Sequence, residues 1–270
     1  MKKLVCLMIS IMMFVGLVGC GQSQSDTQSN DQNIQQGQSQ DPAQDQANAG
    51  EKKVIVMGTN AEFPPFEYRE GDKVVGFDVE IAKKVAEKLD AELKIEDMLF
   101  DGLIPALEAG KIDFIAAGMS VTKERKKNVD FSNGYYEASQ VIIVTADNET
   151  IKGPEDLKNK KIGVQLGTTG DMEAQNIEGA EVVQFNAGFA AIMDLQNGKV
   201  DAVILDSEPA KNFASQNNQI KILDVELTKE EYAIAVKKGN TELVNAINAV
   251  LKELKTSEYD RLVQKYFTAE

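Results

Sequence analysis

The sequence predicts an α/β fold in which open sheets carry helices on their faces. Short apolar runs rich in β-branched residues alternate with segments whose apolar residues recur at helical spacing, and this alternation is typical of βα units. The βα units are too many for one compact sheet in a chain of 270 residues. A second run of them begins after Gln140, so we expect more than one sheet.

The predicted elements follow in chain order. Strands are expected at Val54 to Met57, Leu93 to Glu96, Ile112 to Ala116, Val141 to Val144, Lys161 to Val164, Val182 to Phe185, Val200 to Leu205 and Tyr232 to Val236. Helices are expected at Asp78 to Leu89, Leu103 to Glu108, Phe189 to Leu195 and Leu243 to Leu254. The last helix begins after Asn240, a residue type that favours the N-cap position.

The composition is that of a globular chain with an acidic surface. Of the residues, 43% are hydrophobic and 27% are charged, which is enough for one large or two medium domains. The net charge is -14, so the surface repels phosphate backbones and nucleic acid is not an expected partner. The chain has no histidine, which removes the usual general base, the usual zinc ligand and every Ser-His or Cys-His pair. A carboxylate-only enzyme remains open.

Residues 1–20 have the pattern of a bacterial lipoprotein signal peptide. Lys2 and Lys3 precede an apolar run at 4–15, and the segment ends at Cys20. Cleavage before Cys20 would leave that cysteine as the lipidated first residue, held at the outer face of the cell membrane. The alternative is a plain transmembrane anchor, for which the apolar run is short.

Residues 21–50 are predicted to form a disordered tether. They are mainly Gln, Ser, Asn and Asp, and they cannot bury enough apolar surface to offset the entropy of ordering. The two cysteines of the chain are Cys6 and Cys20. No thiol is therefore expected in the folded part, and neither a disulfide nor a cysteine metal site is expected there.

Two neighbouring segments carry the most information about function. They are NAEFPPFEY at 60–68 and GFDVEIAKKVAEKL at 76–89. Together they resemble the signature of bacterial extracellular solute-binding proteins of the polar amino acid family, family 3. The resemblance extends from about Lys53 to the C-terminus.

This resemblance implies a periplasmic-binding-protein-like fold. Two open-sheet α/β lobes would be joined by two hinge strands, with the ligand cleft between them. Lobe one would comprise 51–139 and 232–270, and lobe two would comprise 140–231. The resemblance also implies that the chain captures a polar L-amino acid outside the cytoplasm, closes around it like a Venus flytrap and delivers it to an ABC importer without catalysis.

A free amino acid carries one anion and one cation on the same carbon, so a dry pocket must offer a partner to each. In the run at 117–125, the resemblance assigns Arg125 to the α-carboxylate, which a guanidinium can bind through two parallel hydrogen bonds. Ser120 would add a hydroxyl and an N–H, and Gly118 a carbonyl for the ammonium. The alternative places Arg125 in a solvated basic patch with Lys123, Lys126 and Lys127.

The second lobe would supply the remaining groups. The run at 164–170 closes a strand and opens a helix, whose N–H groups favour an anion, so Thr168 and Thr169 are expected to meet the same carboxylate. The resemblance places the ammonium-binding aspartate at Asp206. An ordinary strand–helix connection and a helix N-cap at Asp206 are the structural alternatives.

The resemblance also assigns residues to the ligand side chain. The rings of Phe63 and Phe100 would clasp it. Its identity would be selected by Asn60, Glu62, Asp101 and Gln165. Asn60 is uncharged where many basic or glutamine binders carry an acid, so Glu62 or Asp101 would have to supply that charge. The runs at 164–169 and 191–198 look most like arginine- and lysine-binding members, and a basic ligand is therefore favoured over glutamine or cystine.

Two other classes of function remain open. A fold-related dehydratase would need an acid–base residue in the cleft, for which Glu67 is the candidate. A tethered sensor domain would bind a ligand without an import partner. Under the favoured reading, the partners are a free L-amino acid, an ABC permease and the membrane through the lipid anchor. No cofactor and no metal are expected, and the chain is expected to be a monomer.

Overall fold

Two five-stranded sheets organise residues 52–267, which are the residues that the computed structural model describes. The predicted signal peptide, the lipidation site Cys20 and the tether at 21–50 lie outside the described residues. None of the helices within 52–267 has the length and apolar character needed to cross a bilayer.

The strands and helices have the following bounds. The strands are β1 (Lys53–Thr59), β2 (Glu62–Phe63), β3 (Glu67–Glu70), β4 (Lys73–Val75), β5 (Ala91–Asp97), β6 (Phe114–Ile115), β7 (Val129–Phe131), β8 (Tyr136–Ala138), β9 (Gln140–Thr145), β10 (Lys161–Gln165), β11 (Glu181–Phe185), β12 (Ala202–Asp206), β13 (Ile220–Glu226), β14 (Glu230–Tyr232) and β15 (Ala235–Lys237). The helices are α1 (Phe77–Lys88), α2 (Leu103–Glu108), α3 (Arg125–Asn128), α4 (Thr169–Gln175), α5 (Gly188–Gln196), α6 (Ser207–Ser215), α7 (Thr241–Ser257) and α8 (Tyr259–Phe267).

The first sheet has the strand order β5-β1-β6-β15-β7. β1 runs parallel to β5 and β6, whereas β15 is antiparallel to β6 and β7. α1 and α7 pack on each other beside this sheet. In α7, Leu243, Ile247, Leu251 and Leu254 are buried at helical spacing, and Asn240 caps the helix by accepting from the Leu243 N–H.

The second sheet has the order β11-β10-β12-β9-β13. β10 is parallel to β11 and β12, while β9 is antiparallel to β12 and β13. Every residue of β12 is buried, as expected for a central strand covered on both faces. α4 and α5 both pack against β10 and β12. The α/β prediction with more than one open sheet is therefore confirmed.

A small antiparallel pair, β8 with β14, lies where the chain passes between the two large sheets. β8 leads into β9, and β14 returns from β13 toward β15. The single strand predicted at Tyr232 to Val236 is wrong. Tyr232 ends β14 and pairs with Tyr136, whereas Ala235 belongs to the first sheet and pairs with Ile115 and Phe131. The chain passes from one sheet to another within this apolar run, and the sequence shows no break at that point.

Candidate functional site

A narrow cavity lies at the carboxyl ends of strands from both large sheets. Ligands in open α/β sheets are expected at such strand ends. The wall consists of Asn60, Phe63, Glu67, Phe100, Ala117, Gly118, Ser120, Arg125, Gln165, Thr168, Thr169 and Asp206. The wall therefore includes the residues that the sequence predicts to contact a ligand, apart from Glu62 and Asp101.

Arg125 is the main cation on this wall. It begins α3, and only 5% of its surface is exposed, so the alternative of a solvated basic patch is excluded. Nη1 donates to the Ser120 carbonyl at 2.7 Å and Nη2 to the Gly167 carbonyl at 3.0 Å. The guanidinium carbon lies 5.3 Å from the centroid of the Phe100 ring, close enough for cation–π attraction. These contacts hold the guanidinium plane in one orientation beside the cavity.

Asp206 ends the buried strand β12 and is 4% exposed. Its Oδ1 accepts a hydrogen bond from the Tyr232 hydroxyl. Burial, followed by the charge of Glu230, raises the pKa of Asp206 from its usual 3.8 to about 7, although Arg125 lowers it in part. Asp206 occupies the N-cap position of α6, but its side chain makes no capping bond. The carboxyl group is thus directed to the cavity, where a cation would stabilise its ionised form.

Glu67 is a second buried carboxyl on the cavity wall, carried by β3 and 1% exposed. Glu67 lies beside the buried carboxyl of Asp78, with which it can share a proton. Burial raises the pKa of Glu67 well above its usual value, and the nearby charge of Asp78 raises it further. A cation placed beside Glu67 would stabilise its ionised form. The sequence singled out Glu67 only for the dehydratase alternative.

Asp78, in the first turn of α1, supports the cavity from behind. Its Oδ2 accepts from the Gly118 N–H at 2.9 Å and from the Tyr135 hydroxyl at 2.6 Å. Gly118 has φ +52, and a Cβ there would lie 2.6 Å from the Phe63 ring. Glycine is therefore required, both for the backbone conformation and for the close approach of the ring. Burial raises the pKa of Asp78 to about 6.

The hydroxyl groups predicted to meet the ligand already have partners. The Thr168 Oγ1 donates to the Gln165 carbonyl at 2.7 Å and accepts from the Asp171 N–H, which makes it the N-cap of α4. The hydroxyls of Ser120 and Thr169 both donate to Oε2 of Glu230. The sequence did not single out Glu230, since neither helical nor strand periodicity indicates a contact at such a distance along the chain.

Asn60 and Gln165 join the two sides of the cavity. The Gln165 Nε2 donates to the Asn60 Oδ1 at 2.8 Å, and the Asn60 Nδ2 donates to the Met98 carbonyl at 3.1 Å. Glu62 and Asp101, which the sequence offered as sources of negative charge, are both exposed and do not line the cavity. Within residues 52–267, the carboxyl groups on the cavity wall are those of Glu67 and Asp206.

Comparison with known proteins agrees with this geometry. Residues 55–269 match the family described as bacterial extracellular solute-binding proteins, family 3. The chain belongs to this family. The family assignment predicted from the segments at 60–68 and 76–89 is therefore confirmed, as is the periplasmic-binding-protein-like architecture.

Several relatives of this family member are named for the amino acid that they bind. The arginine-binding extracellular protein ArtP of Bacillus subtilis is 34% identical over 277 residues, which cover 100% of each chain. The structure of holo ArgBP from T. maritima is 47% identical with a TM-score of 0.73, and the match covers 78% of this chain and 95% of that one. An ancestral arginine-binding protein bound to glutamine is 43% identical with a TM-score of 0.74, covering 81% and 99%.

Proposed function

We propose that the chain captures a basic L-amino acid, arginine or lysine, outside the cytoplasm and delivers it to an ABC importer by closure of its two lobes. The proposal is carried by the ionisable groups on one cavity wall, namely the cation Arg125 and the carboxyls Asp206 and Glu67. A basic amino acid carries the complementary set of one anion and two cations. A cationic side chain would stabilise the ionised form of Glu67, which burial otherwise disfavours.

Each charged group has a proposed role. Arg125 binds the α-carboxylate, with the Ser120 N–H as a further donor. The backbone hydrogen bonds of the isolated β-bridge at Ser120 are donated by the N–H groups of Val121 and Ala233, so the bridge does not use the Ser120 N–H. Asp206 and the Gly118 carbonyl bind the α-ammonium. Glu67 then receives the cationic end of the ligand side chain.

The remaining wall residues surround the ligand. Phe63 and Phe100 flank its aliphatic part, and Phe100 also lies against the Arg125 guanidinium. Asn60 and Gln165 close the site through their mutual hydrogen bond. Thr168 holds the backbone of the loop before α4, and Thr169 lines the wall beside Ser120.

A calorimetric and thermal-shift screen of the twenty amino acids tests this function. A ligand at about 100 times its dissociation constant adds roughly 2.7 kcal/mol to the free energy of unfolding, or roughly 5 to 10 °C in Tm for a domain of this size. We expect arginine or lysine to give the largest shift. Tighter binding of glutamine or cystine would overturn the choice of ligand, and no binding of any amino acid would overturn the function.

Glutamine is the second candidate ligand. It is favoured by the uncharged amides of Asn60 and Gln165 on the wall, which could hydrogen-bond a side-chain amide, and by the glutamine complex of the ancestral relative. Competition between arginine and glutamine for one site, measured by calorimetry, decides between them. No turnover is expected of either ligand or of prephenate-like acids, and product formation dependent on Glu67 would instead favour a dehydratase.

The proposal includes the location and partners of the chain. Cleavage before Cys20 and lipidation would hold a monomer at the outer face of the cell membrane, with 21–50 as the tether and hinges near 139 and 231 between the lobes. Cys20→Ala should release the protein from the membrane fraction. Deletion of the chain should abolish arginine uptake through its permease, whereas a tethered sensor would leave uptake unchanged.

A further inference from the structure

Glu230 lies in β14, in the short sheet where the chain passes between the two large sheets. Its carboxylate accepts hydrogen bonds from three hydroxyl groups. Ser120 and Thr169 donate to Oε2, the latter at 2.7 Å, and Thr228 donates to Oε1 at 2.7 Å. Hydrogen bonds to an ionised acceptor are among the stronger ones in proteins.

Two of these donors come from opposite sides of the cavity. Ser120 follows β6 of the first sheet, and Thr169 is the first residue of α4 beside the second sheet. Both residues line the cavity, and both also line a larger outer groove that Glu230 shares. Glu230 itself is absent from the cavity wall. The two hydroxyl groups therefore stand between the cavity and the carboxylate.

The direction of each hydroxyl proton follows from simple chemistry. A carboxylate only accepts hydrogen bonds, and a hydroxyl has a single proton to donate. The protons of Ser120 and Thr169 therefore point at Glu230. The Thr169 oxygen also accepts from the Gln140 Nε2 at 3.0 Å. Toward the cavity, the Ser120 oxygen can offer only a lone pair, which suits a ligand ammonium and not a ligand carboxylate.

We propose that Glu230 is a positioning residue with two effects. It orients the hydroxyls of Ser120 and Thr169 so that they accept hydrogen bonds from the ligand ammonium, and it stabilises the closed arrangement by fastening the two lobes to each other. Both hydroxyls can reach one carboxylate oxygen only when the two sides of the cavity are together. The closed form thus gains two charge-assisted hydrogen bonds that an open form would exchange for water. The first part of this inference rests on the proposed function; the fastening of the lobes does not.

The electrostatics of the cavity agree with this position. Burial is the main cause of the raised pKa of Asp206, and the charge of Glu230 raises it further. Burial lowers the pKa of Arg125, and the charge of Glu230 partly opposes this lowering. Glu230 is therefore close enough to act on both groups that the ligand would contact. Its negative charge also favours a cation over an anion at the Ser120 end of the cavity.

A double-mutant cycle measured by calorimetry with arginine tests the positioning role in the full chain. Glu230→Ala should weaken binding about tenfold in the wild-type background, and by less than about threefold when Ser120→Ala and Thr169→Val are already present. Glu230→Gln, which can accept through one oxygen only, should fall between. The control is Glu231→Gln, an exposed neighbour, which should bind as the wild type does. Equal losses in both backgrounds would overturn the role.

Hydrogen exchange of the ligand-free chain tests the fastening separately. Glu230→Ala should speed amide exchange in peptides covering 119–122 and 168–171 and leave α1 and α7 unchanged. Faster exchange throughout the chain, or no change at either segment, would overturn the proposal. If the wild type binds no amino acid, the proposed function fails, and this measurement still decides whether Glu230 joins the two lobes.

Discussion

The side chain of Gln165 donates a hydrogen bond to the side-chain oxygen of Asn60 at 2.8 Å, joining the end of β10 to the loop after β1. The two residues are 105 positions apart in sequence. Each stands directly at the carboxyl end of a parallel strand, on opposite sides of the cavity. The contact is therefore available only when the two sheets approach each other.

Asn60→Asp should raise the preference for arginine over glutamine. The carboxylate keeps an acceptor for Gln165 and adds a negative charge, which favours a cationic side chain by about 1 kcal/mol or more in a buried site. Competition calorimetry with the two ligands measures the change. Asn186→Asp, which adds the same charge outside the cavity wall, is the control. An unchanged preference would remove Asn60 from the selection of the side chain.

Arg125→Lys should weaken binding of every amino acid by roughly 1 to 3 kcal/mol. Lysine cannot supply the planar pair of donors, and it also loses the bonds to the Ser120 and Gly167 carbonyls. The matched control is Arg261→Lys, an exposed arginine paired with Glu258, which should bind normally. Equal dissociation constants for the two variants would mean that Arg125 does not hold the ligand.

Asp206→Ala should weaken binding by roughly 2 to 5 kcal/mol, because the ligand ammonium loses its buried partner. The control is Asp201→Ala, since Asp201 is exposed at the start of the same segment and accepts from the Lys161 N–H. Isothermal titration measures both variants. Retained affinity in the first would exclude Asp206 from the site.

Glu67→Gln should reduce binding of arginine more than binding of glutamine, by about 1 to 3 kcal/mol. The substitution keeps the shape of the side chain and removes its capacity to ionise beside a cationic ligand. Glu62→Gln offers the same change on an exposed side chain of the neighbouring strand and should have no effect. Equal losses for the two ligands would contradict a role for Glu67 in recognising a cationic side chain.

The stability of the ligand-free protein should fall as the pH rises from 5 to 7.5. The pKa of Asp206 is raised to about 7 and that of Asp78 to about 6, so the folded state holds protons that the unfolded state has already released, and stability decreases through this window. The chain has no histidine to oppose the trend. Scanning calorimetry should give a smaller decrease for Asp206→Asn. A Tm that rises with pH would contradict these shifts.

The strands and helices with clear periodicity could be predicted from the sequence, whereas changes of partner could not. The run at 232–236 appears continuous in sequence, yet it contains the passage from β14 to β15. The sequence does not predict α8, although Leu262 of that helix is buried in the core. The alternation of apolar and polar residues shows which face of a strand is buried. It does not show which sheet the strand joins.

The candidate site could be predicted mainly through the family resemblance. Arg125, Asp206 and Thr169 stand in recognisable motifs, and the structure places all three on one wall. Glu67 and Glu230 were not assigned to the ligand or its support, because their importance lies in burial and in contacts across the fold. A carboxyl in a sequence indicates a functional group only after its partners, or their absence, are known.

The crystal structure of the arginine complex tests the central claim most directly. The account predicts the α-carboxylate on the guanidinium of Arg125, the α-ammonium on the carboxylate of Asp206, and the ligand guanidinium within hydrogen-bonding distance of Glu67. Arginine bound in the reverse orientation, or bound elsewhere with this cavity empty, would contradict it.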